Sequence, residues 1–154
     1  MLNGSFEYLR AKYVDFPGTT IITPKVVNGV VVAGTTIAQN QNLAGFAAPF
    51  AAPFSASFGF TYKFDTPIGN FAFSGNDHYT SPYALVADRS ILQTRHHVLD
   101  ASLNWTSPDK HYDLNLFVRN LTKQYYYVVG QASSSLTVVP GAPQTYGATL
   151  GFHF

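Results

Sequence analysis

The segment Phe54–Asp65 reads FSASFGFTYKFD. Phe54, Ala56, Phe58, Phe60, Tyr62 and Phe64 take every second position, with Ser55, Ser57, Gly59, Thr61, Lys63 and Asp65 between them. Side chains alternate across a β-strand. The segment therefore makes one wholly apolar face and one small polar face, a pattern that no helix can use. The end of the chain repeats it. Tyr146, Ala148, Leu150, Phe152 and Phe154 oppose Thr145, Gly147, Thr149, Gly151 and His153.

Four further segments follow the same rule less strictly. His97–Trp105 groups Leu99, Ala101, Leu103 and Trp105. Tyr112–Leu121 groups Tyr112, Leu114, Leu116 and Val118 against Asp113, Asn115 and Arg119. Asn70–Tyr79 begins with Phe71 and Phe73 on one face and then turns polar. Ser5–Phe16 carries Phe6, Tyr8, Leu9, Ala11 and Tyr13, with a parity break between Tyr8 and Leu9 that implies a bulge or a displaced boundary. The expectation is an all-β, antiparallel sheet of about six strands, each roughly 9–11 residues long, the length that crosses a bilayer at a tilt.

Composition narrows what such strands can be. Charged residues make up 11% of the 154, against roughly 25% in a soluble domain. Aromatics reach 16%, with 13 Phe and 10 Tyr, yet mean hydropathy is only +0.03. Apolar residues are thus interleaved with small polar ones, and no run approaches a transmembrane helix. A membrane β-barrel meets these terms, with lipid on one side of each strand and water on the other. An aromatic-rich soluble β-sandwich, acting as a binding module, meets them too.

The lengths of the connections favour the barrel. Thr66–Gly69 and Thr106–His111 are short turns with Pro, Gly or Asp. Pro17–Pro53, Ser81–His96 and Val128–Gln144 are long, so short and long connections alternate, as periplasmic turns and extracellular loops do in outer-membrane barrels. Within the first long loop, Val26-Val27-Asn28-Gly29-Val30-Val31 signals a two-residue hairpin. The tandem AAPFAAPF, Ala47–Phe54, reads as an extended lead-in.

Chemistry is sparse. A net charge of +1 offers nucleic acid nothing. Absence of cysteine excludes disulfides and thiolate metal sites. His96 and His97 are adjacent and so point to opposite faces of a strand, which disfavours a shared metal. His78, His111 and His153 are isolated. No Gly-x-Ser-x-Gly elbow occurs. The sequence suggests no catalytic residue, metal or cofactor.

Three segments resemble TonB-dependent outer-membrane receptors. LNLFVRNLTKQYYY, Leu114–Tyr127, looks like the family's penultimate strand, with Asn120, Leu121, Thr122 and Tyr125 or Tyr126 at matching positions and Lys123 where Asp or Asn is usual. PQTYGATLGFHF, Pro143–Phe154, is similar to its closing strand, with Gln144 where Arg is common. APFSASFGFTYKF is like its Ala-Pro lead into an aromatic strand. The resemblance implies a barrel of roughly 22 strands around an N-terminal plug. It implies a parent receptor for energised uptake of a bulky ligand such as a ferric siderophore. TonB would then be reached only through the plug, and Phe154 would be the signal read by the barrel-assembly machinery.

On that reading residues 1–154 are a C-terminal portion, with plug and earlier strands absent. The N-terminal MLNGSFEYLR lacks the features of a signal peptide, in keeping with a fragment. Phe54, Phe58, Phe60, Tyr62, Phe64, Leu99, Leu103, Leu114, Leu116, Val118, Leu150 and Phe152 are expected to face outer-membrane lipid. Trp105, Tyr112 and Tyr146 are expected in an interfacial girdle. Lys63, Asp113 and Arg119 are expected in the lumen, with Arg119 expected to pair with Asp113 on the same face.

Overall fold

The computed structural model describes residues 1–28, 30–132 and 136–154, and for 22–26 and 31–39 the backbone only. Among the described residues there is no helix. The strands are β1 (Leu2–Tyr8), β2 (Thr19–Val27), β3 (Val30–Gln41), β4 (Phe54–Thr66), β5 (Gly69–Thr80), β6 (Tyr83–Ala84), β7 (Leu92–Gln93), β8 (His96–Thr106), β9 (Tyr112–Arg119), β10 (Tyr127–Ala132), β11 (Leu136–Pro140) and β12 (Thr145–Phe152).

Six of them form one antiparallel sheet in the order β1-β4-β5-β8-β9-β12. The hairpins β2–β3, β6–β7 and β10–β11 each occupy one long connection. Short turns link β4 to β5 and β8 to β9. Pro67 and Ile68 alone separate the paired residues Thr66 and Gly69. Gly69 has φ +131°, and a Cβ there would fall 2.3 Å from the Thr106 carbonyl oxygen, so only glycine fits this close approach. All the long connections lie at the opposite end. β1 and β12 each have a single neighbour, so the sheet is open and antiparallel, an incomplete barrel wall.

Several boundaries differ from the sequence reading. The first strand covers Leu2–Tyr8 rather than Ser5–Phe16. The parity break after Tyr8 is a strand end: the Leu9 amide makes the last rung of the ladder, to the Pro53 carbonyl, and proline has no N–H to return it. β9 stops at Arg119 because Asn120 adopts φ +50°, which no strand can carry onward. The third long connection therefore starts at Asn120, before Val128. The tandem AAPF is not extended throughout. Its first Phe, Phe50, sits in a turn at φ +60° with its amide on the Ala84 carbonyl, and only the second copy leads into β4. The Val26–Val31 hairpin forms, with Val27 opposite Val30 and Asn28 at φ +51°. Gly29 lies outside the described residues.

Among the described residues the buried apolar side chains are Leu43, Ala51, Ala84, Leu85 and Ile91. None belongs to the six-stranded sheet; all lie in the long connections.

Candidate functional site

In an antiparallel ladder, directly opposed residues share a face. The register therefore assigns the two faces of the sheet. Phe64 opposes Phe71, which opposes Trp105, then Leu114, then Leu150. Tyr62 opposes Phe73, Leu103, Leu116 and Ala148 in the next row. Leu2, Phe60, Gly75, Ala101, Val118 and Tyr146 make the third. Tyr112 opposes Phe152 beyond the first row. Phe58 and Leu99 stand on the same face, both opposite Asp77.

Every residue assigned to lipid from the sequence thus lies on one continuous face. Aromatic contacts cross its strands. Phe64 and Phe71 stack at 5.2 Å, and Phe60 meets Phe73 edge-on at 5.4 Å. Phe60 also lies over Gly75, filling the space a side chain there would need. Nothing in the described residues covers this face, and Phe58 and Tyr62 remain 56% and 64% exposed.

The three residues expected in a girdle lie at two levels of the sheet. Trp105 and Tyr112 stand at the short-turn end, where the Trp105 indole N–H donates to the Ile68 carbonyl. Tyr146 opposes Val118 at the long-loop end of its strand. Phe154 is fully exposed beyond β12.

The other face carries Asn3, Ser57, Thr61, Lys63, Ser74, Asn76, Asp100, Ser102, Asn104, Asp113, Asn115, Arg119 and Thr149. Neighbouring strands are joined there by side-chain hydrogen bonds. Thr61 pairs with Ser74 at 3.0 Å, Ser57 with the His78 Nδ1 at 2.8 Å, and the Asn115 amide donates to Asn104. An open concavity of about 570 Å³ lies along it, lined by Asn3, Thr61, Asn76, Asp100, Asn115 and Arg119 among others. Its lining can hydrate a polar passage or bind a polar polypeptide surface.

Arg119 and Asp113 share this face but do not pair. Asp113 holds the His153 Nε2 at 3.1 Å, tying β12 to β9. The Arg119 guanidinium lies over the Phe117 ring at 5.6 Å. The histidines read as isolated have partners: His78 with Ser57, His111 with Asp109 and His153 with Asp113. His96 and His97 do diverge. His96 is buried under the loops, while His97 bonds Asp77 on the apolar face.

Above the sheet the three long connections pack on one another. Gly130 of β10 touches Leu85 and Ile91 so closely that a Cβ would meet Leu85 at 2.6 Å. Gln93, 2% exposed, donates to the Thr94 carbonyl and accepts the Tyr127 amide at 2.7 Å. The His96 ring stacks on Tyr126 at 4.9 Å. Burial raises the Tyr83 phenol above its ordinary pKa, with nearby Tyr126 adding to the effect.

Asn120 is the keystone of the third connection. Its amide N–H donates to Asp100, its side-chain nitrogen to the Gln124 and Ala142 carbonyls, and its side-chain oxygen accepts the Gln124 amide. Buried Asn120 thus joins β8, its own loop and the lead into β12. Sequence reasoning picked it out by resemblance alone. Gln93 gave no sequence signal, Tyr126 was singled out only as one of two tyrosines at a motif position, and the Asp77–His97 pair was hidden by the polar turn in Asn70–Tyr79.

In the short turn after β8, the Ser107 hydroxyl and then His111 hold the Asp109 carboxyl down to a pKa of about 2. Among the described residues no group of three or more metal-ligating side chains occurs.

No protein-family model and no curated protein matches the chain. Solved structures do. The ferric yersiniabactin uptake receptor FyuA from Yersinia pestis aligns with 77% of this chain at TM-score 0.67 and 21% identity. BauA, the ferric preacinetobactin receptor from Acinetobacter baumannii, aligns with 90% at TM-score 0.62 and 16% identity. The matches cover 19% of FyuA and 26% of BauA, so the chain spans about a fifth to a quarter of these receptors. An open sheet of six antiparallel strands, with every long connection at one end, is thus a fold this chain shares with part of each of these two receptor structures.

Proposed function

We propose that the chain is a C-terminal section of the wall of an outer-membrane TonB-dependent receptor that imports a bulky ligand, a ferric siderophore or similar iron complex. The carrying observation is the register. It collects most of the aromatic and aliphatic side chains of the six strands on one face, with Asp77 and His97 among them, and most of the amides, hydroxyls and charges on the other. On this reading the apolar face meets lipid, with Trp105 and Tyr112 at the periplasmic interface and Tyr146 nearer the outer one. The polar face with Lys63, Asp113 and Arg119 meets the lumen.

The two open edges call for further strands, since each unpaired backbone group in lipid costs several kcal/mol. Those strands and the plug, through which TonB would act, belong to the rest of the receptor. Phe154 is the residue we assign to recognition by the barrel-assembly machinery. The role is transport, without catalysis.

A soluble β-sandwich would need a second sheet against the Phe54–Phe64 face. The described residues provide none. The deciding measurement is electrophoretic mobility in detergent, with and without boiling. A folded barrel that contains this chain migrates differently in the two samples. A soluble monomer of the 154-residue chain, unfolding cooperatively in plain buffer, would overturn the reading.

A further inference from the structure

The apolar face is not uniform along its height. Across the six strands, the register places two side chains there that can carry charge near neutrality, Asp77 and His97. They are bonded to each other, His97 Nδ1 to Asp77 Oδ2 at 3.2 Å, and both are solvent-accessible. The Tyr79 ring packs on the His97 ring at 4.9 Å, and Phe54 packs on Tyr79 at 6.0 Å. The group lies at the long-loop end of β5 and β8, directly beside Leu99 and Phe58.

We propose that this group is a lipid-headgroup contact that fixes where the outer surface of a bilayer crosses the wall. The inference rests on the lipid-facing reading above and adds the height to it. Below the pair, from Leu99 down to Trp105, the face of β8 is uncharged. Trp105 to His97 spans eight residue steps, about 27 Å at the usual rise. A tilt of 35–45° lowers this to about 20 Å, close to the apolar band of about 25 Å in outer-membrane barrels. A carboxylate and an imidazole within hydrocarbon would lose their hydration. At the headgroup layer both keep water and can exchange hydrogen bonds with phosphate and ester oxygens. Tyr79 and Phe54 supply the amphipathic rings that favour the same depth. On this assignment β5 and β8 end one residue pair above the group, at Thr80 and His96, where they enter the loop cluster.

The chain contains no cysteine, so single substitutions can be labelled cleanly. Leu103→Cys and Tyr79→Cys, each carrying a fluorescent bimane, are placed in the complete folded polypeptide in phosphatidylcholine vesicles. The vesicles hold a nitroxide either at the headgroup or deep in the acyl chain, and each variant must keep the strand content of the unsubstituted protein by circular dichroism. The label at 103 is expected to be quenched mainly by the deep nitroxide and the label at 79 mainly by the headgroup one. Adding D77L and H97L is expected to carry the label at 79 inward and reverse its preference. Deep quenching at 79 equal to that at 103, or no change on adding D77L and H97L, overturns the headgroup assignment and leaves the lipid-facing reading intact. Absence of lipid quenching at 103 overturns both.

Discussion

The sheet and the loop cluster are built on different physical terms. The sheet holds most of the aromatic mass of the chain and has no buried apolar side chain among the described residues. The cluster above it is irregular in sequence, yet it contains Leu43, Ala51, Ala84, Leu85 and Ile91, all buried. A sheet stabilised in water would hide its apolar face against something. This one leaves that work to its surroundings and relies on its own chain for hydrogen bonds. The loops behave as an ordinary small domain does, burying apolar groups and satisfying buried polar ones. On the proposed lipid-facing reading, the molecule would meet two solvents, with the boundary between them at the ends of β5 and β8.

The sharpest break of this contrast is to remove core from the loops. Leu85 is 1% exposed beneath Gly130. Leu85→Ala is expected to cost about 2–5 kcal/mol by loss of transfer energy and creation of a cavity. Hydrogen exchange should rise across β6–β7 and β10–β11 while the sheet amides keep their protection. Uniform loss of protection would mean that loops and sheet are one cooperative unit.

The two faces of the sheet give the next test. Leu116→Arg, on the apolar face, is expected to destabilise the vesicle-inserted protein by about 2–4 kcal/mol, the cost of a cation near mid-membrane. Thr149→Arg, on the polar face, should stay within about 0.5 kcal/mol. Denaturant titration in vesicles measures both, and equal costs would end the assignment of faces.

A smaller effect is expected at Gln93. Gln93→Ala leaves the Tyr127 amide without its acceptor, at about 1–3 kcal/mol. The readout is exchange of that amide, and an unchanged rate would show that the bond does not hold β10 in place.

The smallest effect concerns the Ser107–His111 turn. The Asp109 carboxyl is held below its ordinary value of 3.8, so the folded turn favours the ionised form. The associated stability is complete above that value and is lost as pH falls through about 2. The His111 ring resonances should therefore shift late in an acid titration, below the range of a free carboxylate. A shift complete by pH 3.8 would show that the turn does not hold Asp109 in this way.

Sheet and loops also differ in how readable they were. Strand faces follow from parity, a local property, so the apolar set from Phe54 to Phe152 could be listed without coordinates. Ends of strands depend on single dihedral angles. Asn120 at φ +50° and Phe50 at φ +60° are where the extended readings failed. The loop core could not be read, because Leu43, Leu85 and Gly130 meet only through tertiary folding. The Arg119–Asp113 pairing failed on distance: six residues along β9 separate them by about 20 Å, and Asp113 is held instead by His153 through the β9–β12 register. Asn120 was recognisable as a motif position, but its four hydrogen bonds to three parts of the chain were not.

The short turns between β4 and β5 and between β8 and β9 make the wall a succession of hairpins. Such a sheet can gain or lose one hairpin without moving any remaining long connection to the other end or turning any apolar side chain to the other face. Exchange of hairpins can then change the width of the sheet and its long connections together, in steps of two strands, while the rule that orients every side chain stays intact.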